Sequence, residues 1–164
     1  MVQEVNPDYI GREYPPNTTY VVSREKIRDF AVAVGAGHGA HNDLGAAKAL
    51  GYRDLVAPAT FPVVIAQKTE AQYIEDPEAG IDFSKVVHAD ERFTYTRPIV
   101  AGDELVPVLR VVSIISRGGI SLVTTEVRIF ETATHAENNS HPGDVFALGE
   151  LVCTVRSTLA VRGE

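Results

Sequence analysis

His38 and His41 are the residues best suited to chemistry. They stand three apart in a glycine-rich loop, Gly35-Ala36-Gly37-His38-Gly39-Ala40-His41-Asn42-Asp43. Imidazole changes charge nearest neutrality, so a pair of them in one loop suits proton transfer. The same pair also reads as ordinary polar loop residues. As metal ligands they lack a third partner at a useful spacing, and His88, His135 and His141 are scattered, so no metal site is expected. The Gly35–Gly39 run does not suit a dinucleotide, because it follows a helical pattern instead of a strand. No serine has a G-x-S-x-G context. Cys153 is the one cysteine, which rules out an intrachain disulfide. Its neighbours alternate as in a strand, and it reads as a small buried hydrophobe with no activating context.

Other elements must position that loop. Ser23 caps a helix whose apolar residues Ile27, Phe30, Ala31 and Val34 have helical spacing, and Gly35 ends it. Asp43 caps a short helix that ends at Gly51. Pro58 breaks the chain. From Phe61 to Ile74 a helical rhythm follows, with Pro62 in the first turn and an apolar run at Val63-Val64-Ile65-Ala66. Polarity rises after Gln67, so the second half of this helix is expected at the surface. Residues 1–17 carry three prolines and read as irregular, with one turn at Tyr9-Ile10, and Thr18 to Val22 reads as a short strand.

From Val86 the texture changes to strands. Val87, Ala89, Glu91, Phe93 and Tyr95 alternate with their neighbours up to Pro98, and Ala101-Gly102-Asp103 is a turn. Long strands follow over 105–116, 120–132 and 144–161, with a hairpin at Arg117-Gly118-Gly119, Pro107 marking an edge or bulge, and a bend at Gly149. Residues 133–143 read as a long exposed loop. Helices first and an antiparallel meander later predict the α+β class: one domain over 1–164, with a curved sheet around the apolar helix. Its open edges favour pairing with a second copy or partner.

The chain has 164 residues and a net charge of −7, which argues against nucleic acid or an anionic membrane as partner. No signal peptide or apolar run long enough to insert in a membrane is visible, and a cytoplasmic location is expected.

Four pieces in series carry a resemblance: Arg24 to Val34, Ala46 to Tyr52, Leu55 to Phe61, and Phe93 to Leu105. Together they resemble a single hotdog domain of the MaoC-like (R)-specific hydratase/dehydratase superfamily. The nearest likeness is to the small accessory-type subunits of mycobacterial (3R)-hydroxyacyl-ACP dehydratase and related actinobacterial proteins. The resemblance implies an acyl-ACP or acyl-CoA substrate in fatty acid or lipid metabolism, and no cofactor. It also implies a homodimer or a heterodimer with a MaoC-type subunit. It puts His41 on the superfamily's catalytic histidine, His38 on its asparagine and Ala36 on its aspartate. The turn Pro58-Ala59-Thr60-Phe61 falls where a backbone N–H binds the thioester carbonyl, with Ala59 at the key position.

Dehydration of a 3-hydroxyacyl thioester needs a base for the C2 proton, an acid for the leaving hydroxyl, and donors for the developing enolate. Ala36 transfers no proton. The favoured expectation is therefore an accessory subunit that shelters the acyl chain. The alternatives are a self-sufficient dehydratase or enoyl hydratase with a His38/His41 site, a non-catalytic acyl-thioester or lipid-binding module, and a thioesterase using Glu70, disfavoured because Glu70 lies on the polar half of its helix. Basic residues such as Arg24, Lys26, Arg28 or Lys68 would have to cluster to receive an acidic carrier.

Overall fold

The computed structural model describes residues 5–133 and 146–163. It has six strands and three α-helices: β1 (Glu13–Tyr14), β2 (Tyr20–Val21), α1 (Arg24–Ala33), α2 (Leu44–Ala49), α3 (Pro62–Ile74), β3 (Val86–Tyr95), β4 (Glu104–Arg117), β5 (Ile120–Thr132) and β6 (Leu148–Arg162). All strand pairs are antiparallel, in the order β1-β4-β5-β6-β3, and β2 also pairs with β4. The expected α+β arrangement, one sheet on one apolar helix, is therefore present.

α3 packs against the middle of the sheet, on β4, β5 and β6. Ile65, Ala66 and Tyr73 of α3 are fully buried, as are Leu109, Val127, Val155 and Leu159 on the facing strands. Each large apolar side chain removed from water in this way contributes about 2 kcal/mol. The expectation that the second half of α3 surfaces fails: Thr69, Glu70 and Tyr73 are buried. The polar pair is accommodated because Thr69 bonds back to the Ile65 carbonyl at 2.8 Å, and Glu70 accepts from Thr125 of β5 at 2.5 Å.

Local signals in the sequence place most boundaries. Ser23 caps α1 by accepting from the Lys26 amide, and Asp43 caps α2 by accepting from the Ala46 amide. The β4–β5 hairpin turns at Gly118 and Gly119, both at positive φ, which is the type I′ geometry that suits strand twist. Pro107 lies in the gap between the residues of β4 that pair with β2 and those that pair with β1, where its missing N–H is tolerated.

Two strand readings need correction. The turn expected at Tyr9-Ile10 is present as a 3-10 turn over Pro7–Tyr9 capped by Ile10, but the segment read as otherwise irregular also holds Glu13–Tyr14, a strand beside β4. The alternation along β3 is broken by a register shift between His88 and Asp90. Val87 consequently shares a face with Asp90, Arg92 and Thr94, and not with Glu91, Phe93 and Tyr95. At Gly149 a Cβ would meet the Glu131 carbonyl at 3.0 Å, so the bend expected there coincides with a close strand approach. Most of the 133–143 loop, the start of the third long strand, His135 and His141 lie outside the described residues.

Candidate active site

α1 ends in a left-handed Gly35, and the Ala36 amide turns back to the Ala31 carbonyl at 2.8 Å. The chain then forms a 3-10 turn, Gly39–His41, capped by His38. Gly39 sits where a Cβ would press on Ala46 at 3.2 Å, so the turn lies tight against α2. Ala40 is buried and its carbonyl accepts from the Val56 amide at 3.0 Å. Val56 in turn bridges to Val100, and the Ala57 amide bonds to the Ile99 carbonyl at 2.8 Å. The histidine loop is thereby sewn to the segment that follows β3.

His41 Nδ1 is 2.6 Å from the Val56 carbonyl oxygen. A carbonyl only accepts, so Nδ1 carries the proton, and in the neutral ring Nε2 keeps a free lone pair. His38 is arranged differently. Its Nδ1 accepts from the Ala40 amide at 3.1 Å, and the ring is exposed. The two rings lie 6.0 Å apart, edge to face. His41 opens on a cleft of about 450 Å³, and His38 does not line it.

Of the expected carbonyl-binding turn, Ala59 lines the same cleft. Pro58 is buried. Phe61 is fully buried in the core against Phe30 and Tyr20, which gives it a packing role. Thr60 is exposed at the entrance to α3. The Phe61 amide bonds to the Pro58 carbonyl at 2.9 Å, whereas the amides of Ala59 and Thr60 donate to no acceptor among the described residues. They are free donors at a helix start, where the dipole favours negative charge. Tyr95 donates from its hydroxyl to the Ala59 carbonyl at 2.7 Å and so fixes the turn. Burial holds the Tyr95 phenol protonated, with a pKa well above its ordinary value. Cys153, opposite Tyr95 in β6, has its thiol pushed up to about 11 by burial and stays protonated.

Sequence reasoning passed over this wall. Tyr95, Thr96 and Arg97 line the cleft together with His41, although Arg97 and the Ala101–Asp103 turn read only as structure-forming in the sequence. Arg97 donates to both oxygens of Asp103, at 2.9 and 3.3 Å, to the Pro98 carbonyl at 2.9 Å, and to Glu131. Asp103 is buried, accepts from the Val100 amide at 2.9 Å and also pairs with Arg53. This network fixes Arg97 as wall. The signal that would have found it is the burial of Asp103, a charged residue that closes the Ala101-Gly102-Asp103 turn, which no local pattern reveals.

No carboxylate is among the described residues that line the cleft. Ala36, which the resemblance sets at the aspartate position, carries no acid, and Asp43 is used at 2.6 Å to cap α2. Glu70 does not line the cleft and is buried beneath β5, bonded to Thr125. Burial raises its pKa, partly offset by the Thr125 hydrogen bond. Of the basic residues expected to cluster, Arg24 pairs with Asp54 at 2.8 Å, Arg28 pairs with Glu25 at 2.5 Å, and Lys68 lies over the Tyr20 ring.

Comparison with known proteins adds three findings. Residues 8–138 match the model of the FAS1-like dehydratase domain region. A UPF0336 protein from Leifsonia xyli subsp. xyli is 49% identical over 160 residues, covering 98% of this chain and 97% of the relative. Among solved structures, a chain of the truncated HadBC complex, a (3R)-hydroxyacyl-ACP dehydratase from Mycobacterium tuberculosis, is 31% identical with a TM-score of 0.75, covering 93% of this chain and 97% of that one. A MaoC-like dehydratase is 32% identical with a TM-score of 0.78, and the match covers 94% of this chain and 42% of that one.

Proposed function

The chain belongs to the FAS1-like dehydratase-region family, and from that premise we propose that it is an acyl-thioester-binding subunit of a (3R)-hydroxyacyl-thioester dehydratase, working with a second hotdog subunit. One observation carries the reading: a cleft that presents an imidazole lone pair and the free amide of Ala59, with no carboxylate among its described lining.

In this reading the thioester carbonyl sits on the Ala59 amide at the start of α3. Negative charge developing on its oxygen is met there by a fixed donor. His41 Nε2 accepts the C2 proton while the Val56 carbonyl holds Nδ1–H and steadies the imidazolium. The C3 hydroxyl leaves as water after taking a proton from an acid, and a C2–C3 double bond remains. The partner supplies that acid, because His38 is tied to the Ala40 amide outside the cleft. We assign the partner contact to β3, ten residues long, which pairs on one side with β6 and on the other with no strand among the described residues. The carrier is ACP or CoA. The compartment we propose is the cytoplasm, where the single thiol stays reduced.

The test is crotonyl-CoA hydration by the chain alone, by a MaoC-type partner alone, and by the mixture. The expected result is turnover that requires, or is strongly raised in, the mixture, with His41→Ala lowering it by about 10²-fold or more. Full turnover by the chain alone, lost in His41→Ala, overturns the accessory reading in favour of a self-sufficient hydratase.

A further inference from the structure

The outer face of the sheet, turned away from α3, is built unlike the rest of the surface. Val87 is opposite Ala160, Ala160 is opposite Leu122, and Leu122 is opposite Ile115. These four form one apolar row across β3, β6, β5 and β4. Ile120 follows two residues from Leu122 on the same face. Val87 is 65% exposed, Ile115 61%, Ile120 48% and Leu122 41%, so the row is open to solvent. The adjacent inward residues, Val123, Leu159 and Val161, are buried, which confirms the face.

Arginines border the row on both sides. Arg117 and Arg162 stand directly opposite Ile120 on its two neighbouring strands, and neither has a carboxylate partner among the described residues. On the other side, beyond a row of Asp90, Thr158, Thr124 and Ser113, come Arg92, Arg156, Glu126 and Arg110. A shallow groove of about 540 Å³ runs over these last two rows. Asp90 is answered by Arg92 at 3.2 Å and Glu126 by Arg156 at 3.9 Å, which leaves Arg110 without a carboxylate partner among the described residues. In a chain of net charge −7 this face carries an excess of positive charge.

We propose that this face docks an acidic amphipathic helix of a partner protein, laid across the strands along the apolar row. The dimensions agree: strands about 4.8 Å apart make a four-strand row about 14 Å long, and a helix of about ten residues covers that length. Its apolar stripe would cover Val87, Leu122 and Ile115, and carboxylates on its flank would reach Arg117 and Arg162. A second copy placed face to face would set arginines against arginines. A plain polyanion would leave the apolar row without a partner. The site lies on the opposite side of the sheet from α3, so the proposal stands independently of the dehydratase reading.

The test is fluorescence anisotropy with a labelled amphipathic peptide of about fourteen residues, leucines at helical spacing and glutamates on one flank. Controls replace the glutamates by lysines or the leucines by serines. The expected result is saturable binding of the acidic peptide only, weakened by salt and about tenfold or more by Arg117→Glu/Arg162→Glu and by Leu122→Glu. Amide chemical-shift mapping on the unaltered protein gives a reading that needs no variant, and perturbations should centre on Val87, Ile115, Ile120 and Leu122. Absence of binding, equal binding of the lysine peptide, or perturbations confined to α1 and α2 overturns the proposal. So does a drop in oligomer mass on Leu122→Glu by sedimentation, since the face is then closed by a second copy.

Discussion

At the residue scale, His41 and Tyr95 both line the cleft, and only one is legible in the sequence. His41 stands in a loop whose composition draws attention to it. Tyr95 reads as one more aromatic in a strand, and its acceptor, Ala59, is distant in the chain. Pro58, Thr60 and Phe61 were grouped with Ala59 because a turn is read as a unit, yet the fold divides them between core, surface and cleft. Removing the Tyr95 hydroxyl while keeping its ring frees the Ala59 carbonyl and loosens the donors beside it. Tyr95→Phe is expected to lower stability by about 1 kcal/mol in urea titration. It should also lower kcat/KM of the partnered assembly about tenfold, and unchanged kinetics would remove Tyr95 from a positioning role.

At the scale of elements, helix boundaries were legible because their determinants are local. Ser23, Asp43, Gly35 and Gly51 act within one turn of themselves. The face of β3 was not legible, because the shift between His88 and Asp90 depends on pairing with β6 and leaves no mark in the alternation. α3 departs from its sequence pattern for a similar reason. Polarity after Gln67 looked like a surface signal, but Thr69 is satisfied by its own helix and Glu70 by a strand far along the chain. Gly35 is the joint between α1 and the histidine loop, at φ 69° with open space where a Cβ would be. Gly35→Ala therefore tests backbone strain without a clash, and is expected to cost about 1 kcal/mol in the urea midpoint analysis. A neutral outcome would mean the joint relaxes without strain.

For the whole molecule, a carboxyl buried in the core couples stability to pH. Burial raises the Glu70 pKa above its unfolded value, and burial together with the nearby Glu70 charge does the same for Glu91. A carboxyl whose folded pKa is raised favours folding in its protonated form. The contribution is complete below the unfolded value, about 4.3, and is lost as pH rises through the folded value. Urea midpoints are thus expected to fall as pH rises above the unfolded carboxylate value, and Glu70→Gln should flatten that slope. A wild-type slope of the opposite sign would show that other groups govern the pH dependence. No helix among the described residues is long and apolar enough to cross a membrane. The strand order also has a consequence in time. β4 and β5 are joined by a two-glycine turn and can pair as soon as both exist, but Val86 of β3 waits for Val161 of β6. During synthesis β3 leaves the ribosome before the strand that covers its inner edge. Tyr95 reaches Ala59 only when that last pairing closes, so the cleft is completed at the end of folding, and truncated chains that lack β6 should form the hairpin and no site.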